Sequence, residues 1–230
     1  MDMEMRALPA WVSPTAVVFV VLAVMAALAV AYDIYGRGHR QGTRLMEPVW
    51  VLSALWLGPF VLPLYLAAGR RHGPGAAGRP PSDRRVGLPL AAAMGGLAGG
   101  AASLVGHVIG VPLVLATGWT LFGVDMFAMI AVVAVLAIAL LFAFEYAVSR
   151  RGATMATGGT GLALLVAVLT VVAFDLGMGG WMLLLHFNGL MPPVSSVSFL
   201  FLMQVGIVLG FLTGFPAVAY LVRQGAKHAV

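Results

Sequence analysis

The sequence contains no cysteine, and only 9% of its residues are charged. The absence of cysteine excludes disulfides, thiolate zinc sites, iron–sulfur clusters and cysteine nucleophiles. A soluble domain carries roughly 25% charged residues, so the scarcity of charge argues against a water-soluble fold. The sequence also lacks the GxSxG, HExxH, P-loop and dinucleotide-binding motifs of common enzymes. It therefore gives no support for an enzyme.

Apolar residues, in contrast, make up 61% of the 230-residue chain. They form six segments, each near the ~20 residues that a membrane-spanning helix needs. The sequence therefore predicts one all-α domain, residues 1–230, a polytopic bundle of six transmembrane helices in a lipid bilayer. Pro59 and Pro63 lie inside the second segment and are expected to kink it. The predicted spans are 14–33, 46–68, 88–116, 123–147, 160–186 and 196–222.

The distribution of basic residues predicts the orientation of such a bundle. Six crossings place ten Lys and Arg residues on one side, many of them in a basic loop over residues 69–87. Only Arg37, Arg40 and Arg44 fall on the other side. Because basic loops stay in the cytoplasm, we expect both termini there and the protein in the cell inner membrane. A nucleic-acid partner is not expected, since no aromatic residues are interleaved with the loop arginines.

Two ionisable side chains lie deep inside the predicted spans, away from their ends. Asp175 is near the middle of the fifth span and His107 is in the outer half of the third. A carboxylate in hydrocarbon costs several kcal/mol or becomes neutral, so it rarely faces lipid. Glu145, near the end of the fourth span, is expected at the cytoplasmic interface in a structural ion pair near Arg150.

These residues predict a cation site in the outer half of the bundle, for a proton or a soft metal. Thioether and imidazole ligands suit Cu(I), whereas carboxylate and imidazole suit Zn(II) or a proton relay. The alternative is that Asp175 and His107 hydrogen-bond each other, or a nearby hydroxyl, and only hold two helices together. The methionines are then ordinary core residues. The candidate metal ligands are Asp175, His107, Met178 and Met182; the candidate ion pathway is Asp175, His107, Gln204 and Met203.

Glycines recur at four-residue spacing in the third and sixth spans. Such spacing lets helix backbones approach closely. The glycine faces predict helix packing and could also bind a second copy or a partner membrane protein. A non-transporting accessory or assembly protein is therefore the alternative to cation handling. The packing glycines are Gly96, Gly100, Gly106, Gly110, Gly206, Gly210 and Gly214.

Four stretches of the chain are distinctive: MEPVWVLSALWLGPFVLPLYLAAGR, GGAASLVGHVIGVPLVLATGWTLFG, AFDLGMGGWM and FLFLMQVGIVLGFLTGFPAVAYLVRQGAK. They resemble a family of bacterial integral membrane proteins known as domain of unknown function 4396. The resemblance implies a membrane fold but no activity. It also implies that cysteines and acidic residues of relatives are replaced here by Gly99, Ser103, His107 and Val111. If that site binds a metal in relatives, thiolate ligation is lost here and His107 is what remains of the site.

Overall fold

The computed structural model describes residues 7–41, 43–70, 87–151 and 159–227. It confirms an all-helical protein with six segments long and apolar enough to cross a membrane. We label its helices α1 (Val12–Ala31), α2 (Met46–Leu57), α3 (Val61–Leu64), α4 (Leu88–Thr117), α5 (Asp125–Arg151), α6 (Gly159–Phe187) and α7 (Val197–Arg223). A π-helical turn, Tyr32–Gly36, extends α1, and another, Tyr65–Gly69, extends α3.

The predicted boundaries agree closely with these helices. Every predicted segment begins within two residues of the observed one and ends within three. The agreement follows from the sharp contrast between long apolar runs and short polar links. The predicted basic loop over 69–87 lies almost entirely outside the described residues.

Helices α4 to α7 form a four-helix unit, and α1 and α2 pack on one side of it, against α4 and α7. Helix α3 packs on α1 and α2. Glycines hold the unit together. A Cβ atom added at Gly96 would lie 2.7 Å from the Phe211 ring on α7, and one at Gly106 would lie 3.1 Å from the Val133 carbonyl oxygen on α5. The other predicted glycines also contact side chains of neighbouring helices: Gly100 contacts Trp56, Gly110 contacts Val133, Gly206 contacts Trp181, and Gly210 and Gly214 contact Phe174.

The second apolar segment does more than kink. Helix α2 ends at Leu57, and Gly58 adopts φ 60° and ψ −142°, a conformation that favours glycine. A short 3₁₀ turn, Gly58–Phe60, then leads into α3. Pro59 has no N–H to donate to the carbonyl of Leu55, four residues earlier. Together, Gly58 and Pro59 break the helix.

Glu145 forms its ion pair with Lys227, which follows α7, and not near Arg150 as expected. Both partners are buried: Glu145 is 5% exposed and Lys227 is 3% exposed. The Arg150 guanidinium lies over the Tyr146 ring instead, 5.7 Å from its centroid. The expected partner was wrong because Lys227 is distant in sequence and reaches Glu145 only once α5 and α7 share one end of the bundle.

Candidate functional site

A small cavity lies between α4, α5 and α6. His107 lines it from α4, Asp175, Met178 and Met182 line it from α6, and Ile130, Val133 and Gly179 complete the lining. The cavity is partly open and has room for about one water molecule. The structure therefore brings together all four residues predicted as metal ligands.

His107 is held in a fixed orientation by its own helix. Its Nδ1–H donates to the Ser103 carbonyl oxygen at 2.8 Å, one helical turn earlier. In a neutral imidazole the other nitrogen, Nε2, is then an acceptor with a free lone pair. Nε2 is buried and has no hydrogen-bond partner within the described ranges. His107 is only 8% exposed. It thus contributes an unpaired hydrogen-bond acceptor to the cavity wall.

Asp175 is half-buried and lines the same cavity. Its carboxylate makes no side-chain hydrogen bond or ion pair with other described residues. A carboxylate at this depth needs a proton, a cation or water to satisfy it. The predicted alternative, a direct structural hydrogen bond between Asp175 and His107, is not among the side-chain contacts of the described chain.

The methionines differ in their surroundings. Met178 Sδ accepts a hydrogen bond from Ser103 Oγ at 3.2 Å, which ties α6 to α4. Met182 belongs to an apolar cluster with other buried methionines from α5 and α7. These are Met126, Met129 and Met203. The cavity therefore adjoins a group of thioethers at the end of the bundle where α4 ends and α5 begins.

Two residues predicted for the ion pathway lie elsewhere. Gln204 does not line the cavity; its Nε2 donates to the Leu55 carbonyl oxygen at 2.6 Å, the carbonyl that Pro59 leaves free. Met203 packs in the methionine cluster and not on the cavity wall. Within the described ranges, no group of three or more His, Asp or Glu residues is placed to hold a metal ion.

Ser103 is the residue whose role sequence reasoning missed. Its carbonyl orients His107 and its hydroxyl binds Met178, so it supports two cavity residues at once. The available signal was its position four residues before His107, where helix neighbours meet. The bond to Met178 joins residues 75 positions apart, which no local pattern indicates.

Comparison with curated proteins found no match, and comparison with solved structures found none either. The model of the domain of unknown function DUF4396 matches residues 90–227. This range covers nearly all of α4 and the whole of α5 to α7, and therefore the cavity and the Glu145–Lys227 pair. The first and second apolar segments lie outside it. The chain belongs to the DUF4396 family, whose function is unknown.

Proposed function

We propose that this protein moves a cation across the bacterial inner membrane through the cavity between α4, α5 and α6. Asp175 is the main carrier and His107 its partner. The observation that carries the proposal is that the Asp175 carboxylate lines the same water-sized cavity as His107, whose Nε2 is buried and has no hydrogen-bond partner among the described residues. An intramembrane acid without a structural partner is by default a functional group.

A proton is the cation that this pair suits best. A protonated Asp175 can pass its proton to His107 Nε2 through one water in the cavity, which leaves a carboxylate beside an imidazolium. Because the Nδ1–H stays bonded to Ser103, Nε2 is the nitrogen that gains and loses the proton. The cavity has room for about one water molecule, which can carry the proton between the two groups.

A soft monovalent metal is the second candidate, and the methionines favour it. Met178 and Met182 line the cavity, and Met182 adjoins the buried thioethers of Met126 and Met129. Thioether and imidazole ligands select Cu(I) over hard cations. In this version, Asp175 balances the charge of the ion. Buried methionines also serve as ordinary packing residues, which makes the proton the first choice.

Asp175→Asn is expected to abolish voltage-driven proton uptake in liposomes, because the amide keeps the shape of the side chain but cannot carry a proton. The full-length protein is reconstituted with an internal pH dye, and a potassium diffusion potential drives uptake. The variant should show the rate of protein-free liposomes. Asp125→Asn is the matched control, since Asp125 is exposed in the first turn of α5 and does not line the cavity.

A parallel assay with Ag(I), a redox-stable probe for soft monovalent metals, separates the two candidates. If the cargo is a soft metal, Met182→Leu lowers Ag(I) uptake while Asp125→Asn leaves it unchanged. If the cargo is a proton, Met182→Leu leaves proton uptake near wild type. Equal fluxes for wild type and Asp175→Asn in both assays, with equal thermal stability, would show that the carboxylate moves no cation.

A further inference from the structure

The second apolar segment returns to the end of the bundle where it starts. Asp33 lies in the turn that ends the first helix. Its carboxylate accepts a hydrogen bond from Tyr65 Oη at 3.0 Å and forms an ion pair with Arg70 Nε at 3.2 Å. Tyr65 and Arg70 follow α3, whereas Asp33 is separated from α2 only by a short link. A straight helix over Met46–Gly69 would hold its ends about 35 Å apart. Here the two ends lie close together, because the His39 N–H donates to the Asp33 carbonyl and the adjacent Arg40 pairs with Glu47 at the start of α2.

Contacts along the segment agree with a hairpin. The Trp50 indole, early in α2, packs edge-on against the Tyr65 ring with centroids 5.4 Å apart. Gly69 lies so close to the same indole that an added Cβ atom would be 2.6 Å from it. Residues 50 and 69 therefore lie side by side. The reversal is at Gly58, which contacts the Phe19 ring of α1.

The other helices fix which ends share a side. Ser13, in the first turn of α1, is hydrogen-bonded to Ser198, in the first turn of α7, through their hydroxyls at 3.3 Å. The rings of Phe19 and Phe201 follow on the same two helices, 5.7 Å apart. Helices α1 and α7 therefore start at the same end of the bundle. If Met46–Gly69 crossed the membrane, α1 and α7 would start on opposite sides.

We propose that Met46–Gly69 is a re-entrant hairpin, so that the chain crosses the membrane five times and its termini lie on opposite sides. The 12 residues of α2 reach about 18 Å into a hydrocarbon core of about 30 Å. Turning back there requires that the broken backbone be buried in protein. Gln204 meets this requirement by satisfying the Leu55 carbonyl, and Trp56, which is fully buried, packs over Gly100. This inference is independent of the proposed cation transport.

The charge distribution supports the hairpin without any reference to contacts. With five crossings, twelve of the thirteen Lys and Arg residues fall on one side and only Arg6 on the other. Six crossings divide them ten to three, because Arg37, Arg40 and Arg44 then lie apart from the rest. Since basic residues mark the cytoplasmic side, the hairpin gives the larger difference in basic residues between the two sides and so the clearer orientation. It places the C-terminus inside and the N-terminus outside.

The absence of cysteine makes the topology directly testable by single-cysteine labelling. Four exposed positions receive cysteine one at a time in the full-length protein: Ala10, Arg44, Thr120 and Gln224. Thr120 lies between α4 and α5 and Gln224 after α7, so the two mark opposite sides in either topology. A membrane-impermeant maleimide is applied to intact cells and to permeabilised cells.

Five crossings predict that Ala10→Cys and Thr120→Cys label in intact cells, while Arg44→Cys and Gln224→Cys label only after permeabilisation. Six crossings predict that Ala10→Cys and Arg44→Cys exchange these behaviours, and that result would overturn the hairpin. Labelling of Ala10→Cys from both sides would also contradict it. If a cysteine variant fails to insert, fluorescent-protein and phosphatase fusions at each terminus of the unmodified chain give the same decision.

Discussion

Lys227→Met is expected to lower the free energy of unfolding by about 3–5 kcal/mol, because it leaves the Glu145 carboxylate buried and unpaired. Both side chains of this ion pair are almost fully buried. The aliphatic part of Lys227 also fills the space over Gly95 on α4, where an added Cβ atom would lie 3.2 Å from Lys227 Cε. Methionine preserves much of this packing and removes the charge. Thermal unfolding in detergent, followed by circular dichroism, measures the effect.

The double variant Glu145→Met/Lys227→Met separates the charge from the packing. Replacing both members of a buried pair with hydrophobic residues of similar volume is often close to neutral, so most of the lost stability should return. Arg223→Met is the control, since Arg223 is exposed at the end of α7. If the double variant is as unstable as the single one, the pair does not act through its charge.

Gly177→Ala is expected to destabilise the protein by about 3 kcal/mol, near the top of the usual range for overpacking. An added Cβ atom at Gly177 would lie 2.6 Å from the Leu209 carbonyl oxygen and 2.6 Å from Thr213 Oγ1. The first is backbone of α7, and the second is held by a 2.9 Å hydrogen bond to the Ala173 carbonyl. Neither can move without separating α6 from α7.

Gly180 provides the matched control three residues further along α6. An added Cβ atom there meets nothing within 4 Å. Alanine has the better helix propensity, so Gly180→Ala should be neutral or stabilise by about 0.5–1 kcal/mol. Equal melting temperatures for the two alanine variants would show that α6 and α7 are not packed as tightly as the structure indicates.

Gly177 also illustrates the limit of sequence patterns. The GxxxG spacing pointed to glycines on α4 and α7, and all of them contact neighbouring helices. No glycine lies four residues before or after Gly177 in α6. An added Cβ atom at Gly177 would nevertheless lie close to the backbone of α7. Spacing within one helix shows which residues share a face. It does not show how near the next backbone comes.

The candidate site was accessible from sequence for an energetic reason. A carboxylate and an imidazole inside apolar spans are costly wherever they point, so Asp175 and His107 stood out before any contact was known. Their shared cavity follows from the meeting of α4 and α6. The sequence predicts Gln204 on the same ion pathway, but a position along separate helices does not determine which polar group is adjacent. The Gln204 amide instead donates a hydrogen bond to the Leu55 carbonyl oxygen, at the point where the helix is broken.

The sequence by itself determined that this is an all-helical membrane protein, where its apolar segments begin and end, and which ionisable groups lie within those segments. These properties depend on composition over about 20 consecutive residues, so they are local. The tertiary structure decided that the second segment turns back, that Glu145 pairs with Lys227, and that the glycine faces pack inside the bundle. Such features depend on contacts between distant residues. Hydropathy measures how apolar a segment is, and it is the same for a helix that crosses the membrane and for a hairpin that returns.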